Sequence, residues 1–244
     1  MALTFGSDAT GNLQRLLDVA SIETIAQYKP CILVDDFIGV GATVPAVGSA
    51  AHGYPWVSKI VDTEGTPTVA VTSNGAGGIM ACALDATSEA QEATLYSGDV
   101  LNWDVQDNLV LEARIAASVL PTGAAGMAFG VSSAWVADGA ETHYLRFSVA
   151  STGVVSVQGK DGTTTTNTAT SVTLAASAFH IFRIDATNPA AVVFQIDGAT
   201  VGTAPYAATG TSAILQPLAG VWKASGTGVA TLEIDRIMVA MDRS

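Results

Sequence analysis

The sequence is short of charge, of basic residues and of cysteine, and each shortage excludes something. Only 13% of its 244 residues are Asp, Glu, Lys or Arg, while 49% are hydrophobic and the mean hydropathy is +0.39. So much apolar surface can offset the entropy of ordering, which excludes a disordered, highly charged chain. Ten Lys and Arg stand against 22 Asp and Glu, for a formal charge of -12 and a pI near 4.3. The ten are scattered, whereas gripping a phosphate backbone takes clustered cations, so no nucleic-acid partner is expected. No run approaches the roughly 18 uninterrupted apolar residues of a membrane-crossing helix, so no membrane partner is expected either.

Cys31 and Cys82 are the only cysteines. The opening Met1-Ala-Leu-Thr-Phe-Gly-Ser-Asp has no basic stretch followed by an apolar core. The expectation is a cytosol-made protein with free thiols, both packed as small apolar residues inside strand-like runs. Few charges also leave little to coat a monomer's outside. The sequence therefore predicts an oligomer or a partner-covered surface, because large apolar patches mark interaction sites.

What is present is β patterning. The 24 glycines suit a turn-rich chain. Leu109, Leu111, Ala113 and Ile115 alternate with Val110, Glu112, Arg114 and Ala116. Leu145, Phe147 and Val149 alternate with Tyr144, Arg146 and Ser148, and Phe182, Ile184, Phe194 and Ile196 follow the same period. Each run puts an apolar face inward and a mixed face outward. Asn74-Gly75, Asp138-Gly139, Asp161-Gly162 and Asp197-Gly198 supply the positive φ of tight hairpins, and Asp197 is expected to bond its own turn. Residues 163–170, mostly threonine, read as an exposed hairpin strand or a mobile loop. With no alternating helices, the pattern predicts an all-β antiparallel sandwich or barrel over residues 31–244. Residues 1–30 differ: Leu13, Leu16, Leu17 and Ala20 have helical spacing, and Pro30 bars a continuous run onward. They read as an N-terminal arm containing a short helix, packed on its own domain or on a neighbour.

From Asp107 to Thr203 the elements have a recognisable order. They run Asp107-Asn-Leu-Val-Leu-Glu-Ala-Arg-Ile, Met127-Ala-Phe-Gly-Val, Tyr144-Leu-Arg-Phe-Ser-Val, Phe179-His-Ile-Phe-Arg-Ile-Asp and Val193-Phe-Gln-Ile-Asp-Gly-Ala-Thr-Val-Gly-Thr. Ala230-Thr-Leu-Glu-Ile-Asp-Arg-Ile-Met-Val closes the chain. This order resembles the concanavalin A-like, or laminin-G-like, jelly roll. Glucan-cleaving members of that superfamily carry Glu-x-Asp-x-x-Glu on one strand, its carboxylates roughly 5 Å apart for a retaining mechanism. The nearest match here is Glu233-Ile-Asp235-Arg-Ile-Met238, with Met238 in place of the third carboxylate. Glu233 and Asp235 are expected to pair with Arg236 or Arg243, or to face solvent.

Other chemistry reads weakly. His52, His143 and His180 are far apart and no Gly-x-Ser-x-Gly elbow exists, so the histidines are expected at core edges, held by backbone partners. Gly39-Val-Gly41 lacks a third glycine, since Val44 and Pro45 follow, so no phosphate cradle forms. Asp35 and Asp36 are expected as an edge or interface pair. Sugar sites need aromatic platforms beside polar loops: Trp103 lies among Asp99, Asn102, Asp104, Asp107 and Asn108, whose oxygens could hold calcium, and Trp135 precedes Asp138-Gly139. The spacing fits no regular calcium loop, and a solvated loop around a core tryptophan is the favoured reading.

These readings assign no catalytic, cofactor-binding or metal residue and predict that the chain is not an enzyme. An acidic, Ala-, Gly- and Thr-rich jelly roll with an arm resembles the capsid decoration proteins of tailed bacteriophages. The resemblance implies a virion structural protein on the capsid outer surface, a homotrimer bridging copies of the major capsid protein and assembled in the host cytoplasm. The alternative is a lectin-like module of a tail fibre or spike that binds host glycans, which predicts exposed aromatics on one face.

Overall fold

The computed structural model describes residues 31–37, 56–72, 78–135 and 140–242. The predicted arm and its helix (residues 1–30), His52, Gly39-Val-Gly41, Asn74-Gly75 and Asp138-Gly139 lie outside the described residues.

Two antiparallel sheets of eight strands pack face to face. The first runs β14 (Ala199–Ala204), β13 (Val192–Ile196), β12 (His180–Asp185), β7 (Val110–Val119), β16 (Thr231–Met241), β4 (Met80–Ala83) and β3 (Thr68–Val71). In this sheet β1 (Cys31–Asp35) lies along the second half of β16. The second runs β11 (Thr165–Thr173), β10 (Val154–Asp161), β9 (His143–Val149), β8 (Ala125–Ser132), β15 (Ile214–Lys223), β5 (Gln91–Tyr96) and β2 (Val57–Val61). Here β6 (Trp103–Asp104) pairs with the start of β15. The only helices among the described residues are 3-10 turns at Pro189–Ala191 and Gly210–Ala213. This is the all-β antiparallel sandwich expected, and the threonine tract forms β11, an edge strand rather than a loop.

Alternation sorts the side chains as the pattern predicts. Leu109, Leu111, Ala113, Ile115, Leu145, Phe147, Phe182, Ile184 and Phe194 are all buried in one core. Phenylalanines stitch the sheets together: Phe129 meets Phe182 edge-on with centroids 4.7 Å apart, and Phe147 meets Phe182 at 5.1 Å and Phe194 at 5.2 Å. Such edge-to-face pairs add to the burial term. Cys31 and Cys82 are free; burial pushes the Cys82 thiol up to about 12, outweighing the opposing backbone hydrogen bond.

Several local expectations are corrected. At the β13–β14 hairpin Asp197 and Gly198 both have positive φ, 50° and 81°. The Asp197 carboxylate does not bond its own turn. It accepts from Ile181 N–H at 2.8 Å and lies 2.7 Å from His180 Nδ1. His143 Nδ1 meets Thr142 Oγ1 at 2.9 Å, so both described histidines have side-chain rather than backbone partners. Asp35 is an internal anchor, accepting from Phe37 N–H and from Trp56 Nε1–H, each at 2.7 Å.

Candidate functional site

The register of the second sheet decides which side chains share its outer face. Lys59 on β2 lies opposite Thr94, which lies opposite Gly220 and then Ala128. Glu92 lies opposite Trp222, itself opposite Gly126. Gly130 is opposite Arg146, which faces Gln158, while Tyr144 faces Lys160. All of these point away from the core, yet Glu92 is 5% exposed, Arg146 6% and Glu141, in the loop before β9, 2%. Charged side chains this far from water are stable only when hydrogen-bonded or paired.

Small residues make the floor. A Cβ on Gly126 would lie 2.6 Å from the Trp222 indole, and one on Gly220 would lie 2.6 Å from Thr94 Oγ1. The missing side chain of Gly126 lets the Trp222 indole lie against the sheet. Above the floor, Arg146 is held on three sides. Its Nε donates to Gln158 Oε1 at 2.8 Å and its Nη1 to Glu141 Oε2 at 3.2 Å. The guanidinium carbon is 4.0 Å from the Tyr144 ring centroid and 6.0 Å from that of Trp222. Lys160 Nζ donates to the Glu141 carbonyl at 3.1 Å.

The β5 end of the face is organised around Trp135. Its indole N–H donates to Glu92 Oε1, which also accepts from Thr94 Oγ1 at 2.6 Å. Lys59 Nζ stands 3.5 Å from the Trp135 ring centroid. The Trp135 backbone N–H donates to Asp99 Oδ1 at 2.8 Å, and Asp99 exchanges hydrogen bonds with the Gln216 amide at 2.9 and 3.0 Å. Burial, then the charges of Asp99 and Glu92, holds the Tyr96 phenol above its ordinary value, so it remains an O–H donor at neutral pH.

The outer face of the first sheet is a different surface. Arg236 pairs with Glu112 at 2.8 Å, Arg183 with Asp185 at 3.0 Å and Arg114 with Asp235 at 2.9 Å. A depression of about 450 Å³ there is lined by Glu112, Ile181, Arg183, Asp185, Gln195 and Gly198. The glucanase-like Glu233-x-Asp235 falls on this face. A register shift between Ile234 and Arg236 bulges β16, so Asp235 reaches Arg114 and Arg236 reaches Glu112, not the pairing expected. The Asp99–Asn108 cluster does not assemble. Asp99 serves the Trp135 loop, Asn108 bonds Asp242 at 2.7 Å, and Trp103 is buried in the core. Among the described residues no group of three or more His, Cys, Asp or Glu could hold a metal ion.

Sequence reasoning named Trp135 and placed Tyr144 and Arg146 on an outward face. It missed Lys59, Glu92, Glu141, Gln158, Lys160 and Trp222. One signal was available: Gly126, Ala128, Gly130 and Ser132 are all small at the parity facing away from the core, which marks a surface that something packs upon.

No protein-family model matches the sequence, and no curated protein is similar to it. Solved structures are. A protein of unknown function from Shewanella oneidensis MR-1 superposes with TM-score 0.61 at 10% identity, covering 93% of this chain and 95% of its own. A family 16 glycoside hydrolase, an endo-glucanase from Bacteroides ovatus, matches with TM-score 0.59 at 12% identity over 85% of this chain and 99% of its own. The carbohydrate recognition domain of Emp46p, in its potassium-bound form, matches with TM-score 0.52 at 11% identity over 76% and 88%. Likeness at these identities establishes the fold: a β-sandwich consistent with the concanavalin A-like jelly roll. It also overturns one expectation. The prediction that the chain is not an enzyme rested on the absence of every catalytic set looked for, the β16 motif included, but the fold is one that glucanases use. Moreover, the second sheet's outer face carries two buried carboxylates that the motif search never tested.

Proposed function

We propose that the chain binds a saccharide on the outer face of the second sheet, between Trp135, Trp222 and Tyr144. The observation that carries this reading is the combination on one face of aromatic rings, a glycine floor that lets a ring lie flat, and buried polar groups held in fixed geometry. Saccharides are recognised by stacking their apolar ring faces on aromatics while oriented donors and acceptors bond the hydroxyls, and rigid groups lose little freedom on binding. The likeness to a carbohydrate recognition domain and to an endo-glucanase supports the reading at the level of fold. A glycan array followed by calorimetry tests it. Trp222→Ala is expected to abolish binding by the hit, and an array with no hit overturns the reading. The same preparation is assayed for release of reducing ends.

A second reading keeps the chain as a self-associating decoration protein on a virion surface, in contact with a major capsid protein. One observation favours it. Ile32 and Val34 on β1, 54% and 58% exposed, stand beside Ala240 and Met238, an apolar strip on the first sheet. Light scattering that reports a monomer at micromolar concentration, with no pelleting on undecorated capsids, overturns it.

A further inference from the structure

We propose that the saccharide is anionic, its acid group seated between Arg146 and Lys160. This rests on the saccharide-binding reading of the face and names the class of ligand. The chain carries a net charge of -12, so its cations are outnumbered and are expected to be paired. On the first sheet they are: Arg114, Arg183 and Arg236 each lie against a carboxylate. On the second sheet Arg146 pairs with Glu141 at 3.2 Å, but the lysines do not. Among the described residues, no carboxylate lies within ion-pair reach of Lys160 or Lys59. Lys160 Nζ bonds only a backbone carbonyl, and Lys59 Nζ rests on an indole. Arg146 uses Nε and Nη1 on Gln158 and Glu141, which leaves Nη2 with no hydrogen-bond partner among the described residues.

The two cations converge. Arg146 and Lys160 both flank the Tyr144 ring, at 4.0 and 5.9 Å from its centroid, and both bond Glu141. Glu141 cancels one of the two charges, so the pair together is a net cation with free donors, which is what a carboxylate or sulfate ester requires. The opposing charge of Glu92 is remote, since β5 and β10 are four strand spacings apart, or about 19 Å. The face is therefore polarised: a cationic end at β9 and β10, aromatics in the middle, a carboxylate end at β5. A sugar ring stacked on Trp222 would lie beside Arg146, whose guanidinium carbon is 6.0 Å from that indole's centroid.

Calorimetry with three oligosaccharides of equal length, a polyuronate, a sulfated galactan and a neutral glucan, tests the assignment. At least one acidic probe is expected to bind about tenfold tighter than the neutral one, and to lose that advantage in high salt, which screens charge. Lys160→Met is expected to remove the advantage, about tenfold, and to cost the neutral glucan much less. Binding by one acidic probe alone identifies which acid the pair accepts. Neutral glucan binding as tightly as both acidic probes, with Lys160→Met silent, overturns the anionic assignment while Trp222→Ala still reports the face as the site. If no saccharide binds the native protein, both the face and its ligand class are wrong.

Discussion

The two outer faces of the sandwich are built by the same strand alternation and hold charge in opposite ways. On the first sheet Arg114, Arg183 and Arg236 lie at the edge of water, each against a carboxylate. Arg114 and Arg236 keep 43% of their side chains exposed. On the second sheet the Arg146–Glu141 pair is withdrawn from water, with side chains only 8% and 3% exposed. An exposed pair gains little, because water and salt screen it and two long side chains must be ordered. A buried pair has lost its hydration and is held by every partner it retains, so removing one partner strands the other. The first face leaves its paired charges in contact with water, whereas the second holds Arg146 and Glu141 away from it in fixed geometry.

The sharpest way to break this contrast is Arg146→Met. It leaves Glu141 buried without its partner, and a cost of about 3–5 kcal/mol is expected, read as a lower urea midpoint at unchanged slope. A cost under about 1 kcal/mol would mean that the second face behaves like the first. Next in size is Gly126→Ala. The new methyl would need the space of the Trp222 indole, 2.6 Å away, so the ring must lift from the sheet. Overpacking of this kind costs about 1–3 kcal/mol, and saccharide affinity is expected to fall with it. Stability lost with binding intact would show that Trp222 only covers the sheet.

The core was legible because one rule places it. Leu109, Leu111 and Ala113, or Phe182 and Ile184, repeat every second residue, and a strand has no other way to hide them. The face opposite the core was legible only as a mixture. Tyr144 and Arg146 stood at the right parity, but nothing in their own strand says that Glu141 and Gln158 will close around Arg146. The partner of Glu92 is farther off, since Trp135 arrives from the loop after β8. The bulge in β16 was illegible for a local reason: one extra residue at Asp235 reverses which neighbours face out, and no glycine announces it. The resemblance to glucan-cleaving jelly rolls directed the search for carboxylates to β16, while the buried ones sit on β5 and before β9.

Acid separates a third arrangement from both faces. Asp85 and Glu89 share the Gln91 side-chain amide, which donates to them at 2.6 and 3.0 Å. The Thr63, Glu64, Gly65 and Thr66 backbone amides donate to the same two carboxylates. The Gln91 amide first, then these N–H donors, holds both groups below the usual carboxylate range. Groups depressed in the folded state bind protons more readily once unfolded. Their stabilisation is therefore present above the unfolded values, about 3.9 and 4.3, and is lost as pH falls below these and through the lower folded values. Unfolding free energy is expected to be level near neutrality and to decline below about pH 4. Asp85→Asn should flatten that decline.

The smallest effect is expected on the first face, and it is the one that makes the comparison quantitative. Arg114 reaches Asp235 at 2.9 Å, but the guanidinium also lies 4.4 Å from the Phe179 ring centroid, so part of its seat survives loss of the carboxylate. Asp235→Asn keeps the shape of the side chain and removes its charge. A cost of about 0.2–1 kcal/mol is expected, shrinking further in high salt, with saccharide binding untouched. A double-mutant cycle with Arg114→Met reads the pair alone and cancels the ring contact. A coupling well above about 1 kcal/mol would mean that the first face too is preorganised, and the case for assigning ligand binding to the second sheet alone would lose its physical basis.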